Sequence, residues 1–184
     1  MINMILCADD NGGIGYKNGL PWPRLSEDLK WFRQLTQHNV VVMGSKTWKS
    51  LGVHAPLASR NNYVISTSKN RDEFAGCSGV FDPSKDTIEV ILASLELLND
   101  EQDIFVIGGK TLYDEAYEFC DCIYLTRVHG TYPTDTKCNL DIYLKDFLIL
   151  DNMTIEGDKH TPDITFETYL RPGDDQFWEQ EDLF

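Results

Sequence analysis

The chain has 184 residues, 42% of them hydrophobic and 25% charged, which is the size and composition of one globular domain with its own core. Its 30 Asp and Glu against 16 Lys and Arg give a formal net charge of -14. That balance argues against a broad nucleic-acid interface, whose affinity rests on cations neutralising phosphates.

No run reaches the roughly 20 apolar residues of a membrane span, and residues 1–10 lack the basic-then-apolar layout of a signal peptide; a cytoplasmic monomer is expected. In chain order, apolar β-rich runs at 4–8, 40–43, 63–65, 104–107 and 123–126 predict strands. Between them, helical spacing predicts helices over 26–36, 45–51, 87–98 and 110–119. This alternation predicts an α/β domain, a mostly parallel sheet covered by helices. Residues 148–151 and 164–170 predict a closing antiparallel pair. The domain is expected to span 1–170, followed by an acidic extension over 171–184. That extension carries Phe177, Trp178, Leu183 and Phe184, and either docks on the domain or frays.

The 5 cysteines form no Cys-x-x-Cys pair, and none of His38, His54, His129 or His160 stands at ligand spacing from Cys120 and Cys122. Reduced thiols and no metal site are expected.

On a wheel at about 100° per residue, Leu25, Leu29, Phe32 and Leu35 share one arc of the 26–36 helix, and Asp28 falls inside it. Two readings are open. Either Ser26 caps the helix and Asp28 complements the positive end of its dipole, or Asp28 sits in a pocket and awaits a cationic or amidine-like ligand edge, its pKa raised by desolvation.

The 104–107 strand runs into Gly108-Gly109 and a helix, and the 40–43 strand runs into Gly44-Ser45-Lys46-Thr47 and a helix. Both turns suit a pyrophosphate. Neither matches GxxxxGK[ST] or GxGxxG. Ser66-Thr67-Ser68-Lys69-Asn70-Arg71 has the composition of a phosphomonoester site and equally that of a solvated turn.

Taken in order, Ile14-Gly15, Asn18-Gly19-Leu20-Pro21-Trp22, Asp28-Leu29-Lys30-Trp31-Phe32, Met43-Gly44-Ser45-Lys46-Thr47-Trp48, Val106-Ile107-Gly108-Gly109 and Tyr124-Leu125-Thr126 resemble the signature blocks of dihydrofolate reductases over about residues 2–170. The resemblance implies a three-layer sandwich, an eight-stranded mostly parallel sheet with an antiparallel edge and helices on both faces. It also implies reduction of 7,8-dihydrofolate to tetrahydrofolate with NADPH, and binding of antifolate inhibitors.

By the same match, Asp28 grips the pteridine with Thr126, and Ile5, Cys7, Leu29, Phe32, Leu51 and Leu57 line the folate site. Trp22 rides a mobile loop that closes over the ring, and Asp135 holds that loop when closed. Arg60 binds the glutamate α-carboxylate. On the cofactor side the match places Cys7, Ile14, Gly15 and Leu20, then Gly44 to Thr47 and Ser66 to Lys69. It adds Ile107, Gly108, Gly109, Lys110, Thr111, Leu112 and Tyr113, with Ile14, Ile107 and Tyr113 crowding the nicotinamide. Asp28, Trp22, Thr126 and Tyr113 form the catalytic group.

The chain departs from the family pattern at Ser59, where glycine is usual, at the inserted His54-Ala55, in an extra residue between Trp22 and Asp28, and at Ser45, where a basic residue is common near the 2′-phosphate. Lys46 and Lys69 are the expected replacements for the last. Two rivals remain: a pyrimidine reductase of the riboflavin pathway and a catalytically silent folate- or nucleotide-binding module.

Overall fold

The computed structural model describes residues 1–68 and 70–173. Lys69 and the extension from Asp174 onward, with its four apolar side chains, lie outside the described residues.

Ten strands run in chain order: β1 Ile2–Asp9, β2 Gly13–Gly15, β3 Val40–Gly44, β4 Asn61–Ile65, β5 Gly79–Phe81, β6 Ile104–Val106, β7 Cys122–Val128, β8 Thr136–Lys137, β9 Leu148–Ile155 and β10 Ile164–Leu170. The helices are α1 Ser26–Thr36, α2 Ser45–Leu51, α3 Ile88–Leu98, α4 Lys110–Ala116 and α5 Leu140–Leu144. Eight strands form one sheet in the order β5-β4-β3-β6-β1-β7-β10-β9, and β2 pairs with β8 apart from it. Every pairing from β5 to β7 is parallel, whereas β10 is antiparallel to both β7 and β9.

The central strands are near-continuous apolar runs because both of their faces are covered. Their two-residue alternation sorts the core. Met4, Leu6 and Ala8 of β1 pack with Val40, Val42, Ile104 and Val106 beneath α3 and α4, with Ile91, Leu92, Leu95, Leu112 and Ala116. Ile5, Val41, Met43, Val64 and Phe105 face the other way, toward Trp48 of α2 and Phe32 and Leu35 of α1. Three layers result, with α1 and α2 on one face.

The expected helices form, with α3 starting at Ile88 because the Thr87 hydroxyl caps it, accepting from the Val90 N–H at 3.4 Å. The fourth stops at Ala116 and continues as a 3-10 turn over Tyr117–Phe119. Ser26 does not cap α1: the cap position is Leu25, with no side-chain hydrogen bond, and the Ser26 hydroxyl instead reaches Glu27 at 3.4 Å.

Four short elements had no sequence signal: β2, β5, β8 and α5. β2 reads Gly-Ile-Gly, poor in strand formers, and its pairing partner β8 has two residues. The ninth strand runs to Ile155 rather than stopping at Asp151. As an outer strand it buries no face along Leu148 to Thr154, so no alternation marks its length. The described chain ends firmly: Arg171 donates to the carbonyls of Cys120 and Tyr117, each at 3.0 Å, and lies 4.3 Å from the Phe147 ring.

Ser59 adopts φ 60° while its carbonyl accepts from the His38 N–H at 2.7 Å. The left-handed region costs an L-residue roughly 1–2 kcal/mol, partly offset by glycine's greater unfolded-state entropy. Ser59→Gly is therefore expected to raise thermal stability by about 0.5–1 kcal/mol, or roughly 1–4 °C for a domain of this size. Calorimetry checks it, and a lowered melting temperature would show that the serine side chain stabilises the turn.

Candidate active site

The site begins at α1. Its first turn brings Asp28 over the C-terminal halves of β1 and β7, where the Thr126 hydroxyl donates to Asp28 Oδ1 at 2.6 Å. Cys7 pairs in register with Thr126, so its side chain shares that face and its thiol lies beside the same carboxylate. Burial pushes the Asp28 carboxyl above its ordinary pKa, and the hydrogen bonds from Thr126 and Cys7 oppose that rise. Burial, reinforced by the neighbouring Asp28 charge, pushes the Cys7 thiol well up. Cys7 is thus a neutral donor rather than a thiolate.

The arc around Asp28 is only partly core. Leu25 is buried and Phe32 and Leu35 are half-buried, but Leu29 is 41% exposed. Leu29 and the 55% exposed Leu20 rim a cleft of about 320 Å³ whose other lining residues are Trp22, Pro23, Arg24, Leu25 and Asp28. Trp22 is buried edge-to-face against Tyr132, with ring centroids 5.8 Å apart, and its indole N–H has no hydrogen-bond partner among the described residues. A buried donor left open beside a carboxylate is a place for a ligand or a water.

Beyond Asp28 the wall continues through Ile5, Phe32, Leu51 and Leu57, all in the core group beneath α1 and α2. Arg60 lies at its far end, its guanidinium donating to Ala58 O at 3.1 Å and Thr36 Oγ1 at 3.3 Å, 5.8 Å from the Phe32 ring. Burial, then the nearby Arg33 cation, lower its pKa, so two positive groups face this end.

On the opposite side the exits of β3 and β6 meet: the Gly44 N–H donates to Gly108 O at 2.7 Å. Gly108 has φ +102°, and a Cβ there would stand 2.8 Å from the Tyr113 ring and hydroxyl. Glycine is therefore required. The Gly108-Gly109 peptide is cis. Tyr113 is buried and donates to Ile5 O at 2.8 Å, forming the floor between the two halves. Thr47 faces Gly109 from α2, its hydroxyl 3.5 Å from where a Cβ on Gly109 would lie.

Leu112 packs into the core, while Thr111 is exposed and Lys110 is paired with Asp114. Ile14 and Ile107 are half-buried, packed on opposite core groups. Ser45 is half-buried and Lys46 exposed at the start of α2. In the turn after β4, Ser66 Oγ accepts from the Ser68 N–H at 3.1 Å, Thr67 is exposed, and the Ser68 hydroxyl is taken by Glu73 at 3.1 Å.

Residues 1–171 match the family model described as dihydrofolate reductase. The chain belongs to that family. It is 32% identical over 178 residues to the dihydrofolate reductase type 9 of Escherichia coli, covering 93% of each chain. It is 36% identical over 135 residues, 73% of each chain, to the dihydrofolate reductase of Bacillus subtilis. The structure of dihydrofolate reductase from Enterococcus faecalis, complexed with NADP(H) and RAB-propyl, aligns with a TM-score of 0.78 at 28% identity, over 94% of this chain and 97% of that one. Dihydrofolate reductase membership favours neither rival reading.

Within this dihydrofolate reductase scaffold, the loop bearing Leu20 and Trp22 is tied down at two points on the N-terminal side of those residues. Asp135 Oδ2 accepts from the Lys17 N–H at 2.7 Å, and its own N–H donates to Gly15 O at 3.0 Å. The Lys17 N–H, then Thr136, hold the Asp135 carboxyl below its usual range. The other anchor is Asp9, which the sequence reading assigned no role. It is 0% exposed, with Oδ1 accepting from Asn11 N at 2.9 Å and Gly13 N at 2.7 Å and Oδ2 from Tyr132 N at 3.1 Å. The signal was present: an aspartate ending an apolar strand and followed by Asp10-Asn11-Gly12-Gly13 is a pattern for side-chain capping of a turn.

Because folding raises the Asp28 pKa, ionised Asp28 costs stability at pH above its folded value, and that cost disappears as pH falls below the unfolded value near 3.9. Asp28→Asn is therefore expected to raise the melting temperature of the ligand-free protein at pH 7.5, by roughly 2–4 °C per kcal/mol. The gain should shrink toward pH 4. A melting temperature lowered at pH 7.5 would mean that the Thr126 and Cys7 hydrogen bonds outweigh the burial cost.

Proposed function

We propose that the chain reduces 7,8-dihydrofolate to 5,6,7,8-tetrahydrofolate with NADPH, supporting one-carbon and nucleotide metabolism. The observation that carries this is the Asp28 carboxylate on the apolar side of α1, hydrogen-bonded to Thr126, at the edge of an apolar cleft. Family membership over residues 1–171 stands behind it. In this reading the working unit is one cytoplasmic chain, since every site residue comes from it.

The residues fit a nicotinamide dinucleotide. Gly108 cannot carry a Cβ without striking Tyr113, Gly44 and Gly108 meet backbone to backbone, and Thr47, Ser66 and Thr67 supply hydroxyls. When bound, the reduced nicotinamide supplies the hydride.

The protein's own share is binding, orientation and exclusion of water. Asp28 accepts two hydrogen bonds from the flat amino-substituted edge of the pteridine and holds the positive charge that builds there. Thr126 fixes the rotamer of Asp28, and Cys7 donates from the side. Leu20, Trp22 and Leu29 cover the ring from solvent, with the open indole N–H of Trp22 available to a water beside the ring. Because Asp28 grips the edge remote from the acceptor nitrogen, the proton arrives there through water. Tyr113 braces the nicotinamide side through Ile5 O. Arg60, with Arg33 near it, takes the substrate's α-carboxylate, and the same cleft accepts antifolates of the same edge chemistry.

The test is oxidation of NADPH in the presence of dihydrofolate. Asp28→Asn is expected to lower turnover by at least about 100-fold at neutral pH, the scale on which loss of a preorganised electrostatic group acts. The loss should be smaller at acid pH, where substrate arrives already protonated. A mutant-to-wild-type ratio that does not vary with pH would remove Asp28 from protonation, and wild type that binds folate without oxidising NADPH would favour the silent module.

A further inference from the structure

The turn after β4 is hydrogen-bonded to a carboxylate, Glu73, which stands in the following 3-10 turn Arg71–Phe74 and is paired with Lys49. Ile65, the last residue of β4, pairs in register with Gly44, so residues 66–68 lie one strand, about 4.8 Å, beyond the glycine exit of β3. A dinucleotide with its nicotinamide beside Tyr113 and its diphosphate across Gly108-Gly109 and Gly44 would place its adenosine ribose toward this next turn. The 2′ position of that ribose is where NADPH and NADH differ.

Glu73 stands at this place and is held from three sides. Its backbone carbonyl accepts from the buried Trp48 indole N–H at 3.0 Å, Oε1 accepts from Ser68 Oγ at 3.1 Å, and Oε2 pairs with Lys49 Nζ at 3.0 Å. Phe74, the next residue, is buried against Trp48 with ring centroids 6.1 Å apart, which stops the segment from swinging out. Lys49 and Ser68 hold the Glu73 carboxyl below its usual range, so the charge is present at neutral pH. At the start of α2 stand the neutral, half-buried Ser45 and the exposed Lys46.

We propose that Glu73 is a specificity-determining residue of the cofactor site. It repels a 2′-phosphate, accepts from a 2′-hydroxyl, and occupies Lys49, so that NADH serves alongside NADPH. The proposal rests on reading this cleft as a nicotinamide dinucleotide site. An anion at Ser68 must displace or sit beside the Glu73 carboxylate, and like charges a few ångströms apart repel even when solvated. A ribose hydroxyl instead donates to it.

Glu73→Gln keeps the side chain's size and its acceptor for Ser68 while removing the charge. Dissociation constants for NADP+, NAD+, 2′,5′-ADP and 5′-AMP, measured by titration calorimetry at low salt on wild type and variant, separate ribose reading from catalysis. Relative kcat/KM for NADPH and NADH accompanies them. The variant is expected to shift both ratios, NADP+ over NAD+ and 2′,5′-ADP over 5′-AMP, toward the phosphorylated ligand by about three- to tenfold, and the shift should fall away near 1 M salt as screening sets in. If both dinucleotides bind and the ratios stay unchanged in the variant, Glu73 does not read the ribose. If neither dinucleotide nor fragment binds to wild type, the dinucleotide reading itself fails and takes the proposal with it.

Discussion

The alternation of β1 is the constraint on which the site depends. β1 is buried between β6 and β7 with layers on both faces, so its side chains must point alternately to one layer and the other. Met4, Leu6 and Ala8 go to the α3 and α4 core. The residues between them are left for the site, and each does something different: Ile5 packs into the wall beneath α1 and α2, Cys7 faces Asp28, and Asp9 ties the covering loop. A one-residue slip would exchange the two sets and dismantle all three contacts together.

The second organising feature is local charge in an acidic chain. Asp28 is made reluctant to ionise by burial, Arg60 and Arg33 stand together at the far end of the cleft, and Glu73 stands just beyond the turn after β4. None of these follows from the net charge of -14. Each follows from which element carries the group and what covers it, and this is why bulk acidity and anionic ligands coexist here.

Most of the fold was legible in the sequence because central strands and amphipathic helices write their periods plainly. The 26–36 and 45–51 helices and the 164–170 strand fall at the read boundaries. β2 and β8 were not legible, since runs of three and two residues carry no period, and β9 outran its reading because an edge strand exposed along both faces has no pattern to show. The site divided in the same way. Asp28 stood out as a carboxylate in an apolar arc, but its Thr126 partner lies 98 residues away and entered only through resemblance. The Asp-Asp-Asn-Gly-Gly run marked Asp9 locally, whereas Glu73 meets Trp48 and Lys49 only once distant segments pack together. Leu112, counted with the cofactor turn, points into the core because α4 presents that residue to α3.

The anchoring of Arg171 has a consequence for how this domain can be joined to other things. It bonds to Tyr117 and Cys120 and its N–H to Asp121, at the start of β7, and Ile2 begins β1 at the same end. The cleft and the glycine turns lie at the opposite ends of these strands. Met1 and Arg171 therefore both lie on the side away from the site. A surface tether attached on that side would present the cleft outward and leave its mouth clear.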